Sequence, residues 1–92
     1  MIRMYVRHMV SDFDTWKQGY DAFGERRRDL GVRGDAIFRG AENITDVTVW
    51  HDFDDLGAAQ AFLESPDLKS AMEAAGVASE PQIWFVHRDL PA

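Results

Sequence analysis

The sequence predicts an α+β domain in which four antiparallel strands form one sheet and two helical stretches cover a single face of it. Three observations carry this. Segments at the start and in the middle alternate with the two-residue period of a strand, two others place apolar residues at helical spacing, and glycine, proline and serine mark the joins.

From Met1 to Val10, the residues Ile2, Met4, Val6, His8 and Val10 share one side, and Arg3, Tyr5, Arg7 and Met9 share the other. Ser11-Asp12-Phe13-Asp14 has the capping-box pattern, with the serine as the expected cap. A helix is expected over Phe13–Leu30, with Phe13, Trp16, Tyr20, Phe23 and Leu30 as an aromatic and apolar stripe. Gly31 suits its stop, and Gly24 weakens its last turns. Val32–Arg39 reads as a second strand, Gly40–Thr45 as a turn, and Asp46–Phe53 as a third strand. In the third strand Val47, Val49, His51 and Phe53 oppose Thr48, Trp50 and Asp52.

The second helical stretch, Asp55–Ala75, is interrupted at Ser65-Pro66-Asp67, a serine cap followed by proline at the first helical position. It divides into Leu56–Glu64 and Pro66–Ala75, ends at Gly76, and gives way to a last strand over Gln82–Arg88. The order β-α-β-β-α-β is the ferredoxin-like pattern, and right-handed crossovers put the first strand between the third and fourth. The uncovered face of the sheet then carries Tyr5 and Trp50 among polar neighbours. Pairing of that face with a second copy, as a homodimer, is the expected way to cover it.

Composition narrows the function. A single domain of 92 residues buries only roughly 60–65% of the surface its unfolded chain exposes, so it is marginal alone. There is no cysteine, which removes disulfides, thiol nucleophiles and thiolate metal sites and suits a reducing compartment. No apolar run approaches the roughly 18 residues of a membrane span, and the opening residues lack a signal-peptide core. A cytoplasmic protein with no membrane partner is the expectation. A formal net charge of −6 opposes nucleic-acid binding, which needs a basic field. The basic cluster Arg26-Arg27-Arg28 is expected to sit at a helix end, where cations meet the negative terminus.

Four stretches carry a resemblance to a known family: Tyr5-Val6-Arg7-His8, Phe13-Asp14-Thr15-Trp16, Val49 through Leu56, and Ala61 through Lys69. In these the chain resembles the dimeric α+β barrel superfamily, and within it is similar to small antibiotic-biosynthesis-monooxygenase-like proteins, including members labelled cyclases. The resemblance implies two ferredoxin-like subunits joined through their sheets, with a ligand held inside each subunit between helices and sheet. It also implies a choice among monooxygenase, cyclase or isomerase chemistry and plain ligand binding, because one fold hosts many activities. Phe53 falls where such families often have a tryptophan. Phe62 and Met72 fall where haem-degrading members have a tryptophan and the iron-binding histidine, so the haem set is missing. The asparagine-tryptophan-tyrosine set of cofactor-free quinone-forming members is not evident either.

The titratable candidates are His8, His51 and His87, one on each of three strands. His51 and His87 fall toward one end of the sheet with a strand between them, about 9–10 Å apart, and His8 toward the other end. That spacing does not suit a three-histidine metal site, and no zinc-like motif accompanies them. His8 and His51 share the apolar side of their strands, where a histidine on a pocket wall moves protons near neutral pH. Tyr20, on the inward helical stripe, offers a hydroxyl to a bound carbonyl or phenol. These three are the catalytic candidates. Trp16, Phe23, Phe38, Phe53, Phe62 and Met72 are the core residues expected to line any cavity. The functional expectation is an enzyme without cofactor or metal, monooxygenase-like or cyclase/isomerase-like, acting on an apolar oxygenated or aromatic metabolite. The alternative is a non-catalytic ligand-binding or accessory module.

Overall fold

The protein is described by a computed structural model, covering residues 1–87. Its strands are β1 (Ile2–Met9), β2 (Gly34–Arg39), β3 (Asp46–Phe53) and β4 (Gln82–His87), and its helices are α1 (Phe13–Ala22), α2 (Gly24–Asp29), α3 (Leu56–Leu63) and α4 (Pro66–Ala74). All pairings are antiparallel, in the order β2-β3-β1-β4. The expected ferredoxin-like topology is therefore present, with β1 at the centre. Arg88, placed by the sequence in the last strand, lies outside the described residues.

Two local expectations need correction. The first helix is not continuous to Leu30 but breaks at Phe23, where the backbone leaves helical geometry before α2 begins at Gly24. Gly24 is the cause in the sequence, since glycine gives the chain most to lose by staying helical. At the break the Tyr20 carbonyl accepts the Phe23 backbone N–H at 3.3 Å and an Arg27 guanidinium N–H as well. The cap of α1 is also one residue later than the capping box implied. Asp12, not Ser11, accepts the Thr15 backbone N–H at 2.9 Å, while the Ser11 hydroxyl donates to the Gly76 carbonyl at 3.3 Å. Asp55 caps α3 in the same way through Ala58, 2.8 Å, and Pro66 begins α4 after Ser65.

Gly31 and Gly76 both have positive φ, 104° and 78°, and supply the left-handed turns that end the two helical stretches. Gly19 has a different use. A β-carbon there would lie 2.9 Å from the Ala75 methyl, so this pair of small residues sets how closely α1 approaches the end of α4.

The helices cover one face of the sheet with two apolar clusters. One gathers Ile2, Met4, Val6, Val32, Phe53, Ala59 and Phe62 beneath α3. The other gathers Val10, Trp16, Val47, Val49 and Ala75 beneath α1 and the end of α4. The opposite face is open. Tyr5 stacks on Trp84, ring centroids 5.4 Å apart, and the Arg3 guanidinium lies 3.7 Å above the Trp50 ring. Bidentate pairs Arg3–Asp52 and Arg7–Asp46 join β1 to β3 on that face. With their arginines still more than a third exposed, such pairs add little stability, but they leave the ends of the face charge-balanced around an aromatic middle. No helix among the described residues is long and apolar enough to cross a membrane.

Candidate functional site

The two apolar clusters do not merge, and a cleft of about 440 Å³ lies between them, walled by the sheet, α1 and α4. That volume is within the usual range of small-molecule sites. Met4, Val6 and Val49 form its floor, Trp16, Phe23 and Phe62 its sides, and Leu68 and Met72 close it from α4. His8, Tyr20 and His51 reach it as well.

Polar groups converge at one end. The Tyr20 hydroxyl is 2.6 Å from Asp35 Oδ2 and 2.9 Å from His51 Nε2. Strand register brings them together, because Asp35 on β2 pairs with His51 on β3, both on the helix-facing side. Arg27 covers the cluster from α2. Its guanidinium sits 3.5 Å over the Tyr20 ring and 3.7 Å from Asp35. Only 10% of the Arg27 side chain is exposed, so this is a buried cation held by an aromatic face, a helix carbonyl and a nearby acid.

These neighbours set the charge states. Burial first, and then the Arg27 cation, press the His51 pKa from 6.5 to about 4, so the ring is neutral near pH 7. Burial and the bond to Asp35 raise the Tyr20 pKa and keep the phenol protonated. His51 Nδ1 is buried and has no partner. His8 is buried too, with both ring nitrogens unpartnered, its pKa lowered by burial, and its ring edge-on to Trp16 at 5.7 Å.

His8 and His51 do not act on one atom. His51 pairs with Met4 and His8 with Val47, four residues further along β1, about 13 Å. His87 pairs with Ile2, is exposed and does not border the cleft. Among the described residues no group of three metal-type side chains converges.

Of the pocket residues expected from sequence, Trp16, Phe23, Phe62 and Met72 line the cleft. Phe53 is fully buried beneath it, against Phe62 at 5.3 Å, and does not line it. Phe38 is a correction. It is 53% exposed and pairs with Thr48 on the open face, since the alternation of β2 gives the helix side to Asp35, Ile37 and Arg39.

Sequence reasoning missed Asp35 and Arg27. The first had a signal, its place two residues before Ile37 on the same strand face. The second was hidden inside a basic run read only as a helix end. All three arginines do lie in the last turn of α2, but Arg27 is 8% exposed and turns inward, whereas Arg26 lies outside, pairing with Asp67 at 2.8 Å. Spacing held the clue, because Trp16, Tyr20, Phe23 and Arg27 recur on one helical face.

No protein-family profile matches the sequence, and no curated protein matches it. Solved structures do match. A protein of Bordetella bronchiseptica assigned as an antibiotic biosynthesis monooxygenase superposes with a TM-score of 0.80 at 20% identity, covering 97% of each chain. SnoaB, a cofactor-independent oxygenase from Streptomyces nogalater, gives 0.76 at 15% identity over 99% of this chain and 97% of its own. The chain has the antibiotic biosynthesis monooxygenase-like fold. A conserved protein of Methanosarcina mazei Go1 gives 0.77 at 15% identity, covering 96% of this chain and 92% of its own. At such identities the monooxygenase-like fold is what is shared. The chemistry has to be argued from the cleft itself.

Proposed function

We propose that this protein binds an apolar oxygenated or aromatic metabolite in the helix–sheet cleft and converts it without a cofactor, as a monooxygenase-like or cyclase/isomerase-like enzyme. One observation carries the proposal: an apolar cleft of ligand size has His51 and Tyr20 in its lining, joined to each other by a 2.9 Å hydrogen bond. The remaining walls select by shape, and His51 takes the proton while Tyr20 and Asp35 orient it. His8 meets the other end of the ligand.

A second reading is a ligand-binding module without turnover. What favours it is the pKa of about 4 at His51, which makes the ring a weak base at neutral pH.

Anthrone under air separates the readings. The monooxygenase reading expects the quinone, with one O₂ consumed and one water formed per molecule, and a marked loss when His8 and His51 are both replaced by alanine. Conversion without oxygen uptake assigns isomerase-type chemistry, and binding without conversion assigns the module. Turnover untouched by the double replacement removes the histidine mechanism.

The proposal includes a homodimer formed through the open sheet face. An aromatic centre of Tyr5, Trp50 and Trp84, with its flanking cations already paired to acids of the same chain, suits a self-complementary contact. Sedimentation at micromolar concentration is expected to give twice the chain mass, and the single mass contradicts it.

A further inference from the structure

Of the four described helices, only α4 buries none of its residues. It walls the cleft through Leu68, Ala71 and Met72. All three stay half-buried, and only Leu68 packs against a core cluster. The edge strand β4 shows the matching deficit. Ile83 and Phe85 stand opposite Val6 and Met4 in the register, on the helix side of the sheet. They remain 38% and 37% exposed, where Val6 and Met4 are buried. α4 therefore stands off the sheet and approaches α1 instead.

The two ends of α4 are held unequally. Beyond its C-terminal end, the Ser11 N–H donates to the Gly76 carbonyl at 3.1 Å and the Ala78 N–H to the Met9 carbonyl at 2.8 Å. Val77 bridges Val10, and the Ala75 methyl lies 2.9 Å from where a Gly19 β-carbon would sit. The N-terminal end has no such anchor. Ser65 makes no side-chain cap, and Pro66 has no N–H to give. Apart from Leu68, the tie there is one half-exposed ion pair, Arg26 of α2 to Asp67 at 2.8 Å. Arg27 and Leu68, the next residues along each helix, both line the cleft, so the pair joins two of its walls.

We infer that α4 is a lid on the cleft, hinged at its Ala75–Gly76 end and latched to α2 by Arg26–Asp67. This rests on the proposed use of the cleft as a ligand site. An exposed pair holds weakly and is screened by salt, and an element with little buried surface opens most easily. When the latch breaks, the N-terminal end swings about the anchored one, and Leu68 and Met72 lift from the cleft. An apolar ligand lying between Met72 and Ile83 gives α4 the packing it lacks, so occupancy holds the lid down.

The chain has no cysteine, so one introduced thiol reports the lid. Met72→Cys places it beneath α4, Leu68→Cys repeats the reading at a second site, and Ser70→Cys, on the exposed side of the same helix, is the reference. The readout is the rate of alkylation by N-ethylmaleimide near pH 7, taken as a ratio to the reference. Arg26→Ala is expected to raise that ratio roughly two- to fivefold. Asp67→Asn added to it is expected to raise it no further, because the pair is already broken. High salt is expected to raise the ratio in the latched protein but not in Arg26→Ala. Arg26→Lys keeps a cation and is expected to restore the slow rate. Asp21→Ala, which breaks the exposed Lys17–Asp21 pair on α1, is expected to leave it unchanged. A ratio indifferent to Arg26→Ala and to salt, or equally raised by Asp21→Ala, overturns the lid. Saturating 2-naphthol is then expected to slow alkylation of the Met72→Cys thiol in latched and unlatched protein alike. No slowing contradicts the cleft as a ligand site and the holding of the lid by occupancy, while the ratios without ligand still decide the latch.

Discussion

Replacing Phe62 by alanine is expected to destabilise the protein by about 3–5 kcal/mol, the largest loss from any single side chain of α3. Phe62 is 1% exposed and joins two parts of the interior. It packs on Phe53 at 5.3 Å in the core below and on His51 at 5.5 Å beside the cleft. Truncation removes apolar burial and leaves a void that rigid strands do not fill. Small domains have only about 5–15 kcal/mol in total, so the variant is expected to be close to unfolding at growth temperature. Chemical denaturation measures it, with Leu56→Ala as the reference. Leu56 is on the same helix but 42% exposed, and its loss is expected to stay near 0.5 kcal/mol. Equal losses for the two substitutions contradict the assignment of Phe62 as the keystone of α3.

Acid is expected to weaken the fold well above the pH at which carboxylates titrate. His51 has an ordinary pKa of 6.5 when exposed and about 4 in the folded protein. Below pH 6.5 the unfolded chain therefore binds a proton that the folded chain refuses. The stabilisation is complete above pH 6.5 and is lost progressively as the pH falls to about 4, reaching about 3 kcal/mol for that shift. His8, whose pKa burial also lowers, adds a loss of the same sign. Denaturation midpoints measured between pH 7 and 4 are expected to fall steadily, and to fall less in His51→Gln, which has no proton to gain. A flat wild-type profile across that window contradicts the buried, neutral state assigned to His51.

The fold was legible because its signals are local and repeated. Alternation in Ile2–Val10 and Val47–Phe53 fixes which residues face the helices, and Gly31, Pro66 and Gly76 mark turns and starts for steric reasons that hold in any context. The break at Phe23 was less legible. A glycine inside an apolar stripe lowers helix stability without dictating where the chain turns, and here the Arg27 bond to the Tyr20 carbonyl settles the place. The cleft site was legible in part. Periodicity put His8, Tyr20 and His51 on inward faces, but it cannot measure the offset between strands that keeps the two histidines about 13 Å apart. Asp35 and Arg27 were lost for one reason. Charged residues are rarely buried, so neither was considered for the interior, whereas here each supports the other through Tyr20. Phe38 failed in the converse way, as an aromatic residue that alternation sends to the open face.

Aromatic side chains thus lie on both faces of the sheet, and the central claim is that the ligand uses the face beneath the helices. The most direct measurement is an NMR titration of the protein with anthrone, followed at the tryptophan indole N–H, the histidine ring and the methionine methyl signals. Saturable shifts are expected at Trp16, His51 and Met72, with Trp50 and Trp84 unmoved. Shifts confined to Trp50 and Trp84, or none at Trp16 and His51 while the ligand demonstrably binds, contradict it.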